Sequence, residues 1–230
     1  ERFTGCKMIT VDARDGKLDP SLVKPLLKGF SFQHHSQPKV ISISQVTELG
    51  TVYTPEEIRR LADLAHEHNM YLHMDGSRLA NAAAYLGLPL EEMTTRAGVD
   101  ALSFGGTKNG MLMGEAVVLL RPHLAENFKY IRKQSMQLFS KSRFVAAQYL
   151  AYLEGGLWLE NARHANKMAG YMAECIKKLP GVTIPQQVES NAVFAIIPEK
   201  ARKKLVEKHF FYTWNEHTGE VRWMCSFNTL

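Results

Sequence analysis

Residues 70–78, Met-Tyr-Leu-His-Met-Asp-Gly-Ser-Arg, decide the fold. The mostly apolar segment 70–74 predicts a β-strand, and polar residues follow directly at its carboxyl end. Upstream, the β-branched segment 39–44 predicts another strand. A helix between the two strands is predicted to begin at Pro55, with Thr54 as its N-cap. Strand, helix and strand in this order are typical of a βαβ unit with parallel strands.

The remaining hydrophobic pattern extends this unit into an α/β fold. Further strands are predicted at residues 101–104, 115–120, 192–197 and 220–227. Helices are predicted at residues 79–86, 122–138, 143–153, 157–179 and 199–209. We therefore predict a mostly parallel sheet in a large domain, residues 1–150, and a small C-terminal α/β domain, residues 151–230.

The composition is that of a globular protein. Hydrophobic residues make up 45% of the 230 and charged residues 22%. No apolar run reaches the roughly 20 residues that a membrane span needs, so no membrane partner is predicted. The three cysteines form no Cys-x-x-Cys motif, and the N-terminus has no signal-peptide pattern. These features predict a cytoplasmic protein without disulfides or a metal site.

The net charge of +5 raises the question of an anionic partner. Basic residues cluster at 121–143 and at 200–208. Such runs are usually solvated helix faces, so we predict no nucleic-acid partner. For the first cluster, an anion site for a phosphorylated cofactor is the alternative.

Polar residues follow three of the predicted strands. The segments are 44–48 (Ser-Gln-Val-Thr-Glu), 75–78 (Asp-Gly-Ser-Arg) and 105–110 (Gly-Gly-Thr-Lys-Asn-Gly). Open α/β sheets bind ligands at the carboxyl ends of their parallel strands. An acid, an arginine and a lysine are therefore predicted to meet at one edge of the sheet.

Lys108 and Asp75 are the candidate reactive groups at this edge. Lys108 follows a buried strand in a glycine-rich turn, so we expect a partly desolvated amine suited to forming an imine. A plain surface lysine is the alternative. Asp75 ends a buried strand, where it is either the cap of the next helix or the partner of a cation such as Arg78.

The two motifs together resemble one enzyme family. His73-Met74-Asp75-Gly76-Ser77-Arg78 and Ser103-Phe104-Gly105-Gly106-Thr107-Lys108-Asn109-Gly110 resemble the threonine aldolase and β-eliminating lyase group of pyridoxal-phosphate enzymes. Residues 41–45, 48–53 and 221–223 match the same group in order. The resemblance covers nearly the whole chain. It implies the aspartate aminotransferase fold, called fold type I, with pyridoxal 5′-phosphate as the cofactor.

The resemblance also implies a role for several side chains. Lys108 would form the imine with the cofactor, and Asp75 would keep the ring nitrogen protonated. Arg78 would reach the ring oxygen or the substrate carboxylate. Arg222 matches the late arginine that holds the substrate α-carboxylate, a pairing suited to a guanidinium. Arg143 matches a residue that reaches the phosphate in a neighbouring subunit.

Two further residues are weaker candidates for cofactor binding. Thr107 would add a hydroxyl near the cofactor, and Gln45 an amide from the end of the first strand. An ordinary loop hydrogen bond is the alternative for each. His73 is predicted to be a hydrogen-bonded core residue. His66 and His68 are two positions apart, so they do not share a helix face as metal ligands would.

The function implied by the resemblance is carbon–carbon bond cleavage. The substrate would be a β-hydroxy-α-amino acid, either L-threonine or allo-threonine, giving glycine and acetaldehyde. One alternative is β-elimination on another amino acid, and the other is a non-catalytic basic binding module on the same scaffold. Sites shared between subunits imply a homodimer or a homotetramer. The family's phosphate-binding glycine turn and ring-stacking histidine have no match in residues 1–38, so that N-terminal part of the fold is expected to be absent here.

Overall fold

The computed structural model describes residues 2–230, which form an α/β structure with two sheets. The strands are β1 (Val40–Ser44), β2 (Tyr71–Gly76), β3 (Ala101–Gly105), β4 (Glu115–Leu119), β5 (Ala192–Ile196), β6 (Tyr212–Asn215) and β7 (Glu220–Met224). The helices are α1 (Pro20–Val23), α2 (Pro55–Glu67), α3 (Leu79–Leu86), α4 (Leu90–Met93), α5 (Phe128–Gln134), α6 (Arg143–Leu153), α7 (Leu157–Ile176) and α8 (Glu199–Val206). Short 3₁₀ turns lie at Arg14–Gly16, Lys24–Leu26, Thr107–Asn109, Pro122–Ala125 and Glu154–Gly156.

The larger sheet has the strand order β1-β2-β3-β4. β1, β2 and β3 are parallel, and β4 is antiparallel to β3. The register places Ser44 opposite Asp75 and Asp75 opposite Ser103. The carboxyl ends of the three parallel strands therefore lie side by side, which confirms the predicted mostly parallel sheet and brings their polar segments together.

Helix α2 connects β1 to β2 and begins at the predicted capping box. Thr54 Oγ1 accepts a hydrogen bond from Glu57 N at 3.2 Å, and Glu57 Oε2 accepts one from Thr54 N at 2.7 Å. Two otherwise unsatisfied amide groups of the first turn thus gain acceptors. The buried face of α2 consists of Ile58, Leu61, Ala62, Leu64 and Ala65. Each buried leucine or isoleucine contributes about 1.5–3 kcal/mol of hydrophobic stabilisation.

Helices α3 and α7 pack against each other through small side chains. The buried residues of α7 are Ala162, Ala165, Ala169 and Ala173. Two asparagines hydrogen-bond across this contact. Asn81 Nδ2 donates to Asn166 Oδ1 at 3.0 Å, and Asn166 Nδ2 donates to the Asn81 carbonyl at 2.9 Å. The amide pair fixes where α7 lies along α3, because buried polar groups need partners.

The smaller sheet has the order β5-β7-β6, and both of its strand pairs are antiparallel. Its buried side chains include Val193 and Ala195 of β5 and Val221 of β7. The division into domains 1–150 and 151–230 stays a prediction, and residue 150 lies inside α6. No helix in the described chain is long and apolar enough to cross a membrane.

Residues 122–138 correct the sequence prediction of one long helix. They contain the 3₁₀ turn Pro122–Ala125 and only the seven-residue α5. Apolar residues of α5 such as Tyr130 and Ile131 are more than half exposed, so no packing stabilises a longer helix. Strand β6 was not predicted, because four residues give too short an alternation to recognise.

Candidate active site

Asp75 lies at the carboxyl end of β2 and is half-buried. Its Oδ1 accepts a hydrogen bond from Ser77 N at 3.0 Å. The N-cap of α3 is Arg78, which makes no side-chain capping bond. Asp75 therefore closes the turn between β2 and α3 without capping the helix, and no other hydrogen bond within residues 2–230 engages its carboxylate.

Lys108 reaches toward the same turn from the end of β3. Its Nζ donates a hydrogen bond to Ser77 Oγ at 3.1 Å. Ser77 thus connects the lysine amine, through its hydroxyl, with the Asp75 carboxylate, through its amide. The expected partial desolvation of Lys108 was wrong for this structure, in which the residue is exposed. Within residues 2–230 the Ser77 hydroxyl is the one hydrogen-bond partner of this amine, and solvent reaches the rest of the side chain.

The turn that carries Lys108 is nevertheless anchored from below by Asn109, which is 3% exposed. Asn109 Nδ2 donates to Tyr152 Oη at 2.7 Å and to the Trp158 carbonyl at 2.8 Å. The Asn109 carbonyl accepts from Asn161 Nδ2 at 2.9 Å. The lysine is therefore an exposed side chain on a backbone held by α6 and α7.

Thr107 and Gln45 are both committed to structural hydrogen bonds. Thr107 Oγ1 accepts from Gly114 N at 3.0 Å and donates to the Gly114 carbonyl at 3.3 Å, closing the loop around Lys108. Gln45 is fully buried, and its amide pairs with Tyr53 N at 3.0 Å and the Tyr53 carbonyl at 2.8 Å. The predicted contact of Gln45 with the cofactor stays a prediction, and in this structure its amide is engaged by Tyr53.

Arg78 and Arg222 meet at one carboxylate. Arg78 Nη1 lies 3.4 Å from Glu48 Oε1, and Arg222 Nη1 lies 3.1 Å from Glu48 Oε2. Arg222 comes from β7 of the smaller sheet, and its guanidinium carbon lies 4.7 Å from the centre of the Trp214 ring. The structure thus brings the two predicted carboxylate-binding arginines together at the carboxyl edge of the larger sheet.

The Arg222 guanidinium has unused hydrogen-bonding capacity. Its Nε is buried and has no hydrogen-bond partner among the described residues. A buried donor without an acceptor costs about 1–3 kcal/mol. A guanidinium pairs most strongly with a carboxylate that accepts two parallel hydrogen bonds. The geometry at Arg222 therefore fits an additional anionic group.

Arg143 lies outside this group in the single chain. It is exposed at the first residue of α6, and its guanidinium carbon lies 4.9 Å from the centre of the Phe144 ring. No ion pair within residues 2–230 engages it. Its predicted contact with a neighbouring subunit's phosphate stays a prediction.

His73 lies on the same sheet face as Asp75, two positions earlier on β2. Its Nδ1 lies 2.8 Å from Ser42 Oγ and its Nε2 lies 3.1 Å from Ser103 Oγ. Burial lowers the pKa of His73, and the negative charge of Asp75 only partly opposes this effect. The imidazole is thus a hydrogen-bonded, half-buried group between neighbouring strands, which confirms its predicted structural role.

Among residues 2–230, Asp100 forms a strongly buried ionic centre that the sequence analysis did not identify. It is 1% exposed, and its carboxylate accepts from Arg121 Nε at 2.6 Å and from Leu72 N at 2.7 Å. His66 Nε2 lies 2.8 Å from Oδ2, the oxygen that also accepts from the Leu72 amide, whereas Arg121 contacts Oδ1. Arg121, from the first basic cluster, is therefore part of a structural ion pair. No group of three or more potential metal ligands occurs among residues 2–230.

These groups define the class of protein. Three kinds of group lie at the carboxyl edge of a parallel sheet. They are an exposed amine on a fixed turn, a carboxylate that one serine connects to this amine, and a pair of arginines. Residues 1–200 match the β-eliminating lyase family. The chain belongs to this family, as its motifs predicted.

Individual relatives agree with this assignment. The low-specificity L-threonine aldolases of a Pseudomonas species and of Pseudomonas aeruginosa are each 41% identical over 226 residues, which are 98% of this chain and 65% of those proteins. The solved threonine aldolase of Leishmania major is 29% identical, with a TM-score of 0.91 over 100% of this chain and 68% of that one. The fold is therefore fold type I, as predicted. The chain spans 65% of the length of these two curated relatives.

The residues of the site fit pyridoxal phosphate, the cofactor that membership of this family implies. Lys108 supplies a primary amine, and Asp75 a carboxylate with one oxygen not engaged by hydrogen bonds. Gly105 lets the two strand ends approach, because a Cβ there would lie 3.0 Å from Ser77 Cα. An amine, an acid and cations at one edge are the groups that this cofactor requires.

Proposed function

We propose that the protein cleaves L-threonine or allo-threonine into glycine and acetaldehyde. The observation that carries this proposal is the connection from Lys108 through Ser77 to Asp75, at the edge where Arg78 and Arg222 meet. The names of the relatives, low-specificity L-threonine aldolases, support the choice of substrate. The unpaired cysteines, Cys6, Cys175 and Cys225, agree with the predicted cytoplasmic location.

Each side chain would have one role in this reaction. Lys108 would hold the cofactor covalently until the substrate amine replaces the lysine amine. Asp75 would keep a proton on the ring nitrogen, and Arg78 with Arg222 would hold the α-carboxylate of the substrate. When bound, pyridoxal phosphate supplies the electron sink for breaking the Cα–Cβ bond. The arginine pair would orient that bond relative to the cofactor.

Borohydride labelling tests the proposal directly. Reduction of the protein with bound pyridoxal phosphate should fix the label on Lys108, because this is the lysine beside Ser77 and Asp75. Peptide mapping by mass spectrometry would locate the label, with Lys108→Arg as the unlabelled control. A label mainly on Lys133 or Lys203, which lie on exposed helices, would contradict the assignment.

We further propose that the protein assembles as a homodimer or a homotetramer. Large apolar side chains in residues 112–150 are exposed in the single chain: Leu112 86%, Tyr130 62%, Met136 89%, Phe144 59% and Leu150 64%. Exposed apolar groups of this size in one region are typical of protein interfaces. Arg143 lies within the same region and would reach the neighbouring site.

Mixing two inactive variants tests the shared site. Arg143→Ala combined with Lys108→Ala should recover up to about a quarter of wild-type activity, because half of randomly paired dimers are hybrids with one intact site. Each variant alone is the control. Absence of recovery after exchange of subunits, verified by a mass label, would show that each site is built within one chain.

A further inference from the structure

Glu48 lies in the turn after β1, and hydrogen bonds within the turn and from the segment before β5 hold its backbone. Gly50 N donates to the Thr47 carbonyl at 2.9 Å, and Ser190 Oγ donates to the Gly50 carbonyl at 3.0 Å. Gly50 has a φ of +80°, and a side chain there would meet Ala192 Cβ at 3.2 Å. The backbone of the turn is therefore fixed, whereas the Glu48 side chain is 59% exposed.

The two arginines that contact Glu48 are less exposed than Glu48 itself. The exposed fraction is 12% for the Arg78 side chain and 18% for that of Arg222. No other carboxylate of the described residues lies within 4.0 Å of either guanidinium. Two largely buried cations thus share one exposed anion, which leaves an excess of positive charge at the site.

The contacts that Glu48 makes are incomplete. Each arginine contributes a single Nη atom, at 3.4 Å and 3.1 Å, whereas charge-assisted hydrogen bonds usually measure about 2.7–2.9 Å. Arg222 Nε has no partner at all among residues 2–230. A free carboxylate is not restrained by the turn at Glu48, so it can approach the guanidinium closely and accept two hydrogen bonds.

We propose that Glu48 is a resident carboxylate, which holds Arg78 and Arg222 in place until the α-carboxylate of an amino-acid ligand replaces it. This inference rests on the proposed function, because it concerns the same arginine pair. Before binding, Glu48 keeps the two guanidinium groups from repelling each other. When the ligand binds, its α-carboxylate replaces the Glu48 carboxylate at the two arginines. Glu48 therefore competes with the ligand and sets the ligand's affinity.

Calorimetric titration with glycine tests this exchange on the protein as isolated, at constant ionic strength. Glycine carries the α-carboxylate and no side chain. Glu48→Gln keeps the size of the residue but removes its charge, so glycine should bind about threefold to tenfold more tightly than to the wild type. Glu56→Gln is the matched control, since Glu56 also forms a surface pair with an arginine, Arg59 at 3.0 Å. That variant should bind glycine as the wild type does.

Arg222→Lys gives the opposite result if the arginine pair is the binding site. It keeps a positive charge but loses the planar fork, so glycine should bind about tenfold more weakly. Equal or weaker glycine binding by Glu48→Gln would overturn the proposal, because Glu48 would then support the site without competing for it. Absence of glycine binding in every variant would overturn it as well. Labelling of Lys108 by borohydride is independent of these titrations, so it reports separately on the proposed function.

Discussion

Replacing Asp75 with asparagine is expected to lower the rate of L-threonine cleavage by about a hundredfold to a thousandfold. The amide keeps the size of the side chain and can still accept the hydrogen bond from Ser77 N. It carries no negative charge, so it cannot keep a proton on the ring nitrogen of the cofactor. Steady-state kinetics with L-threonine would measure the loss, and circular dichroism would show that the fold is unchanged.

A surface aspartate provides the matched control for this substitution. Asp63 is exposed on α2 and forms no ion pair within residues 2–230, so Asp63→Asn should leave the rate unchanged. Near-native turnover of Asp75→Asn would show that Asp75 only closes the turn after β2.

Asp100→Ala is expected to lower the free energy of unfolding by about 3–5 kcal/mol. The substitution removes a buried carboxylate that joins the ends of α2, β2 and β3. It leaves the Leu72 amide without its acceptor and separates Arg121 and His66 from their common partner. Urea-induced unfolding followed by far-ultraviolet circular dichroism would measure the change.

Two further variants are expected to lose less stability than Asp100→Ala. Arg121→Ala should cost less than Asp100→Ala, because the Arg121 side chain is 47% exposed and the removal leaves Asp100 with two donors. Asp63→Ala should change the stability by no more than about 0.5 kcal/mol, as expected for an exposed residue. If Asp100→Ala cost no more than Asp63→Ala, the carboxylate would not be a structural centre.

The pH dependence of stability follows from the same group. Burial alone raises the pKa of Asp100, but hydrogen bonds from Arg121, the Leu72 amide and His66 lower it below the ordinary value of 3.8. A carboxyl whose pKa is lower in the folded state than in the unfolded state stabilises the fold at pH values above that ordinary pKa. Its contribution is lost as the pH falls through the lowered pKa.

The parallel sheet and its connecting helix were predictable because their signals are local. The capping box at Thr54 and the apolar face of α2 each lie within a few residues. The strands β2 and β3 were recognised from short apolar runs, although each continues farther than predicted, to Gly76 and to Gly105. Local hydrophobic pattern and helix capping therefore determine most of this part of the fold.

The site was only partly predictable, since its contacts join distant parts of the chain. Glu48 was recognised as a residue at a strand end, but its partner Arg222 lies 174 positions away. The connecting role of Ser77 depends on the distance between two strand ends, which no pattern in the sequence encodes. The partner of the Gln45 amide, Tyr53, could not be predicted from the sequence, because burial of that amide is a property of the folded loop.

Because of Asn109, Lys108 combines an accessible side-chain amine with a rigid backbone. The backbone amides of Asn109 and Met111 both donate to the Gly106 carbonyl, at 3.0 Å and 3.1 Å, and the Asn109 side chain is held by α6 and α7. Solvent reaches the amine, whereas the Asn109 side chain ties the turn below it to those helices. The lysine can therefore change partners by rotation of its own side chain. Its backbone loses conformational entropy when the protein folds, so a change of partner costs no further backbone entropy.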